Sequence, residues 1–297
     1  MTFFDEFEGY LEEQDRAATT IRGYLADLRL FAKWFASVNE ESLKDDNWIA
    51  SDVRRYRQAL IAQGAKPQTI NRRLAALASF GNWAVQKKKI LSNPVLHIGS
   101  MASAPLSPKW LAKNEKAALI RAAEKDVQLA RTRYPRLWVS RLRDATILIV
   151  LLNTGLRVGE LCALDIADVQ ISERKGSLTV RSGKGRKQRA VPLNTEARTF
   201  LQQWLLYRPA VTTSAFFVGQ RNERLTSRSA QRAVKRLAEL ANLDDVTPHL
   251  LRHTFAKSLL DSGVGIEKVA ALLGHSDLNT VRRQSFRTVS NGDFSPL

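Results

Sequence analysis

The chain has 297 residues, 44% of them hydrophobic and 25% charged, with a formal net charge of +17. That length allows two ordinary domains, each with a core, and that composition excludes wholesale disorder. The longest apolar run, residues 145–152, is broken by Thr146 and too short to span a bilayer, and the acidic start MTFFDEFEGYLEEQ lacks the basic opening of a secretory signal.

The charge is segregated. Residues 1–53 carry five Lys/Arg against twelve Asp/Glu, residues 54–105 carry nine basic and no acidic residues, and residues 106–297 carry 32 basic and 17 acidic. A basic surface of that kind suits a polyanion, and no basic amphipathic stretch stands beside an aromatic anchor for a membrane.

The first hundred residues read as helical. TTIRGYLADLRLFAKWFASV spaces Ile21, Leu25, Leu28, Phe31, Trp34 and Phe35 by threes and fours, one stripe of an amphipathic helix, with Thr19 or Thr20 as a cap. DVRRYRQALIAQG is a second helix that stops at Gly64. KPQTINRRLAALASFGNWAVQKKK is a third, with Pro67 near its start and Ile70, Leu74, Leu77 and Ala84 facing inward. Its outer face carries Arg72 and Arg73, with Lys87, Lys88 and Lys89 after it, positions that suit phosphate contacts or a solvated face. SNPVLHIGSMASAPLSP has three prolines and almost no charge, so the expected domains are 1–100 and 108–297 with a linker at 101–107. His97 in that stretch is incidental.

Beyond the linker, KNEKAALIRAAEK and RLRDATILIVLLNTG are helical, the second apolar enough for a core. Cys162, the single cysteine, excludes an internal disulfide and suits a reducing cytoplasm; its setting, GELCAL, makes it a buried structural thiol rather than a nucleophile. GSLTVRSGKGRKQRAVPL changes to a period of two around the turn 182–185 and reads as a β-hairpin. Helices return in NTEARTFLQQWLLY, SRSAQRAVKRLAELA, HLLRHTFAKSLLDSG, GIEKVAALLGH and a final LNTVRR. The expected fold is mainly α in two domains, the second carrying one small antiparallel sheet.

Five basic positions stand out. Arg157 follows the helix stop in NTGLRVGEL, where Gly155 permits a tight turn; Lys184 sits between two glycines at the hairpin tip; His249 and Arg252 share a helix face at i and i+3; His275 ends LLGH. Two guanidiniums can grip a phosphodiester in forked hydrogen bonds, a lysine can protonate a departing sugar oxygen, and histidines can manage a nucleophile's proton, all without metal. A zinc helix is disfavoured: His249 and His253 are i and i+4, but Leu250 stands where that motif needs Glu, and Arg252 would repel a cation. GKG at 183–185 lacks the spacing of a phosphate-binding P-loop.

TGLRVGEL, VRSGKGRKQRAVPL, PHLLRHTFAKSLLDSG and LLGHSDLNT, in that order, resemble the tyrosine recombinases, the phage integrase and Xer-like family, and the N-terminal helices resemble that family's SAM-like core-binding domain. The resemblance implies that Arg157 and Arg252 clamp the scissile phosphate, that Lys184 is the general acid, and that His249 and His275 complete the pocket. Lys184 is preferred to Arg186 or Lys187 because its Lys-Gly pair follows the strand as in the family; Thr154 and Glu160 position the Arg157 turn, and His253 packs.

The resemblance further implies a C-shaped clamp on double-stranded DNA, a tetramer on two paired sites, a cytoplasmic, nucleoid-associated location, no membrane, and neither metal nor other cofactor. Arg72, Arg73, Lys87, Lys88, Arg186, Lys187, Arg228, Arg232 and Lys235 are candidates for DNA contact.

One departure is sharp. The family's tyrosine falls nine residues after the LGH histidine, and that position holds Gln284, with no tyrosine after Tyr207. A glutamine amide is a poor nucleophile; Phe286 has no hydroxyl, and the Ser285 alkoxide is harder to form and shorter in reach than a phenolate. A replacement made to hold a DNA complex before cleavage, a degenerate relative, and an altered reading frame after Arg283 all fit it. The expectation is a recombinase framework without its nucleophile, with a non-catalytic DNA-binding regulator as the alternative.

Overall fold

The computed structural model describes residues 2–102, 109–181 and 188–274. The chain divides into two compact units, residues 1–106 and 107–297, and among the described residues both are built mainly of helices.

In the first unit, α1 (Phe3–Glu13) is opened by a reciprocal cap in which the Thr2 amide donates to Asp5 Oδ2 at 2.7 Å. The sequence assigns no separate helix to this acidic stretch within its helical first hundred residues; Phe7 and Leu11, one turn apart, are the buried face of α1. The long helix α2 (Ala18–Asn39) begins two or three residues earlier than expected, with Ala17 at its N-cap, so Thr19 and Thr20 lie inside the first turn and neither caps it. The stripe is otherwise as spaced: Ile21, Leu25, Leu28, Phe31 and Phe35 are buried. Helix α3 (Ala50–Ala62) ends at Gln63, and Gly64 follows at φ +71°, a left-handed stop that glycine adopts without steric cost. Helix α4 (Pro67–Gln86) starts on its proline and buries Ile70, Leu74, Leu77 and Ala84. The core is dense in aromatic rings, with Phe31 edge-on to Trp48 and Tyr56, and Phe80 stacked on both Trp48 and Trp83.

In the second unit, α5 (Lys113–Arg133), α8 (Thr195–Tyr207), α9 (Ser227–Leu240) and α10 (Pro248–Asp261) pack around α6 (Trp138–Thr154), whose residues 145–152 are fully buried. A helix apolar on every side needs neighbours on every side, which explains its central place. Thr146, the one hydroxyl in that run, satisfies itself by donating to the Leu142 carbonyl at 2.7 Å.

A short helix, α7 (Val158–Ala163), and a 3₁₀ turn (Ile166–Asp168) lead to the sheet. The sheet has three antiparallel strands, not the two of the expected hairpin: β1 (Val169–Ile171) pairs with β2 (Gly176–Arg181), which pairs with β3 (Gln188–Pro192). Three residues of alternating pattern were too few to read as a strand. Helix α11 (Ile266–Leu273) ends the described part and closes on Gly274 at φ +66°. The hairpin tip 182–187 and the expected LNTVRR helix lie outside the described residues.

Candidate active site

The site begins where the apolar helix α6 must stop. Gly155 turns the chain at φ +61°, and a Cβ there would stand 2.4 Å from Phe255 Cδ1 and 2.8 Å from Leu273 Cδ2. The glycine therefore supplies both a left-handed turn and a close approach of α6 to α10 and α11. Thr154 is buried and donates back to the Val150 carbonyl at 2.5 Å. Two residues after the turn, Arg157 is the N-cap of α7, and Glu160 reaches back to accept its backbone amide at 2.8 Å.

Glu160 is the centre of the arrangement. Arg157 Nη1 donates to its Oε1 at 3.0 Å; Arg189, on β3, donates through Nη1 to Oε1 at 3.1 Å and through Nη2 to Oε2 at 2.8 Å; Arg252 Nη1, on α10, lies 3.9 Å from Oε2. Three cations surround one anion. Burial pushes the Glu160 carboxyl up, yet the Arg189 hydrogen bonds, the Arg157 amide and both arginines' charges hold it below the ordinary glutamate value.

Arg252 is 7% exposed. Its Nη1 donates to the Gly155 carbonyl at 2.6 Å and its Nη2 to the Leu273 carbonyl at 2.7 Å, so one side chain ties the α6 turn to the last turn of α11. Burial, then the Arg157 charge, pulls its pKa down to about 10, with Glu160 opposing, and it stays cationic at neutral pH. Arg157 differs in kind: its side chain is 44% exposed and faces solvent from the lip of the cluster.

His249 is exposed in the first turn of α10, one turn before Arg252 on the same helix. His253 is half-buried, and burial, with the charges of His249 and Arg252, holds it below the ordinary histidine value. Lys184, Arg186, Lys187, His275 and Gln284 lie outside the described residues, although β2 and β3 flank the first three in sequence and Gly274 immediately precedes His275. Among the described residues no group of three or more His, Cys, Asp or Glu stands ready for a metal ion.

The positions proposed for DNA contact divide. Arg228, Arg232 and Lys235 are exposed on α9, and Lys87 and Lys88 are exposed just after α4. Arg72 and Arg73 are not simply outward-facing. Both turn toward Asp27, a carboxylate buried in the first unit; Arg72 is hydrogen-bonded to it, and Arg73, mostly buried, donates to the Tyr56 hydroxyl at 3.2 Å. A carboxylate on the inner side of α2 requires cations beside it, and α4 supplies them.

Sequence reasoning missed Arg189. Its signal was the strand's period: Arg189 shares a face with buried Val191 and pairs across the ladder with buried Val180, and an arginine on an inward face needs a carboxylate.

A family model described as "Phage integrase family" matches residues 109–286, and one described as "Phage integrase, N-terminal SAM-like domain" matches residues 4–88. The chain belongs to the phage integrase family, the tyrosine recombinases. Within it, the chain is 32% identical to tyrosine recombinase XerC of Corynebacterium glutamicum over 98% of its own length and 88% of that protein. It is 35% identical to tyrosine recombinase XerC of Mycobacterium sp. (strain KMS), covering 96% and 94%. Among solved structures, XerA recombinase is 26% identical with a TM-score of 0.51, over 95% of this chain and 92% of that one. XerH bound to palindromic difH, 22% identical, shares the recombinase fold with a TM-score of 0.73 over 93% and 80%.

Proposed function

We propose that this chain is a site-specific DNA recombinase in architecture, and that with Gln284 it grips the scissile phosphate without cutting it. The observation that carries the reading is the gathering of Arg157 and Arg252 around Glu160, with net positive charge and one guanidinium turned to solvent. Such a pocket offers forked donors to a phosphate and stabilises charge that builds on its oxygens. Solved neighbours described as bound to difH substrate and to a COC′ core site support duplex DNA as the ligand.

In the chemistry this pocket would serve with a tyrosine at position 284, the tyrosine oxygen attacks the phosphorus, the bond to the 5′ oxygen breaks, and the phosphate stays on the enzyme as a 3′-phosphotyrosyl ester; with Gln284 the reaction stops at the held phosphate. Arg157 and Arg252 hold the phosphate, Lys184 protonates the departing oxygen, and His249 and His275 complete the pocket and take the nucleophile's proton. Residues 1–100 form the core-binding domain and residues 108–297 the catalytic-type domain. Arg72, Arg73, Lys87, Lys88, Arg186, Lys187, Arg228, Arg232 and Lys235 supply backbone contacts, and four copies assemble on two paired sites in the cytoplasm at the nucleoid. No step requires a metal or cofactor.

The glutamine at position 284 also favours a second reading, a DNA-binding regulator that occupies recombination sites. Covalent trapping separates the two. On nicked duplexes recovered by selection from a randomised pool, the wild-type chain forms no adduct under either reading, and Gln284→Tyr forms one only if the pocket is a dormant enzyme. An adduct with the wild-type chain overturns the assignment of Gln284.

A further inference from the structure

Arg189 occupies a position that no role so far described uses. Its side chain is 17% exposed and ties its own strand to two other elements. Two nitrogens span both oxygens of Glu160 on α7, the third donates to the Leu272 carbonyl at 2.8 Å near the end of α11, and its own backbone belongs to β3, one residue into the strand that follows the 182–187 segment. Gly274 is fitted around it: a Cβ there would stand 2.9 Å from Arg189 Nη1. The chain passes from that glycine directly to His275.

We infer that Arg189 is a positioning residue for the phosphate pocket, locking the sheet, the Glu160–Arg157 turn and the end of α11 into one unit and neutralising Glu160 so that Arg157 is available to a phosphate. The inference rests on the phosphate-pocket reading above. The physical reason is competition for one carboxylate. Arg157 Nη1 and Arg189 Nη1 share Glu160 Oε1, at 3.0 and 3.1 Å. With Arg189 present, Glu160 has a forked partner and its charge is met; a phosphate that draws Arg157 away leaves no bare buried anion. Without Arg189, Glu160 keeps the Arg157 guanidinium and amide, with Arg252 standing off at 3.9 Å, and moving that guanidinium to a phosphate leaves the carboxylate poorly met as an anion approaches. The same loss removes the donor from Leu272, loosening the helix end that precedes His275.

Phosphate ethylation interference on a duplex selected by the wild-type protein from a randomised pool tests this. It reports each phosphate separately, whereas a merely structural residue would weaken all of them together. Arg157→Ala first marks the phosphate that Arg157 grips. Arg189→Ala should then reduce interference at that same phosphate by about threefold or more, a lost hydrogen bond's worth, while the other phosphates keep wild-type interference. Arg189→Gln, close in size, should behave alike and serves if the alanine variant folds poorly. Arg189→Lys, which restores the charge without the fork, should recover part of the effect. Uniform weakening at every phosphate, or a wild-type map for Arg189→Ala and Arg189→Gln, overturns the inference. If Arg157→Ala itself marks no phosphate, the phosphate-pocket reading fails instead, so the two failures are told apart.

Discussion

Arg189 and Glu160 meet fork to fork across the second unit, guanidinium nitrogens at 3.1 and 2.8 Å from the two carboxylate oxygens, twenty-nine residues apart in sequence. That pair fixes β3 against α7. Arg157 and Arg252 lean on the same carboxylate from either side, one exposed and one buried, so substitutions in this single cluster should have separable consequences.

Glu160→Gln should destabilise the second unit by about 2 kcal/mol or more, because it takes the carboxylate from the Arg189 fork and replaces an acceptor with a donor facing donors. Urea unfolding checks it. The pH dependence follows from the sign of the shift. The carboxyl is held below its ordinary value in the folded state, so its contribution is present above the unfolded glutamate pKa and lost as pH falls through the folded one. Wild-type stability should therefore fall on acidification below about pH 4.5 by more than that of Glu160→Gln.

Arg157→Ala and Arg252→Ala should part company. Arg157 is substantially exposed, so its removal should change stability by no more than about 0.5 kcal/mol while weakening DNA binding. Arg252→Ala strips the donors from the Gly155 and Leu273 carbonyls and should cost about 2–3 kcal/mol besides affinity. Equal stability losses in paired unfolding curves would contradict this division.

Gly155→Ala should be more damaging than Gly274→Ala, although both glycines are left-handed. A methyl group at 155 meets the packed Phe255 ring and Leu273; at 274 it meets the end of an arginine side chain that can shift. Thermal unfolding should place Gly155→Ala about 2 kcal/mol or more below wild type, with Gly274→Ala closer to the strain of the turn alone, about 1 kcal/mol.

On α9, neighbouring arginines should behave in opposite ways. Arg228→Ala or Arg232→Ala should leave stability unchanged and reduce the slope of log affinity against log salt by about one unit each. Arg236→Ala should lower stability and leave that slope nearly intact, because Arg236 is bonded to Asp126 at 2.8 Å and lies 3.4 Å from Asp144.

Much of this was legible in the chain because local patterns carried it. The stripes of α2 and α4, the apolar run 145–152 of α6 and the Gly155 turn follow from residue spacing and the steric freedom of one glycine. What escaped depended on partners far away in sequence. The buried Asp27 pairs with Arg72, which stays exposed, and draws Arg73 inward, neither of which α4 taken alone announces. Glu160 appears as a local cap for Arg157, and only the fold brings β3 against it and makes Arg189 its main partner. The strand β1 is three residues long and exists through its ladder with β2, which no local period announces.

The most direct measurement is the structure of this protein bound to its selected duplex. One bridging phosphate should have oxygens within hydrogen-bond distance, about 3 Å, of both Arg157 and Arg252, with Glu160 still held by Arg189 and Gln284 facing that phosphorus in place of a nucleophile. A duplex contacted by α9 while the Arg157–Arg252 cluster stands clear of any phosphate would contradict it.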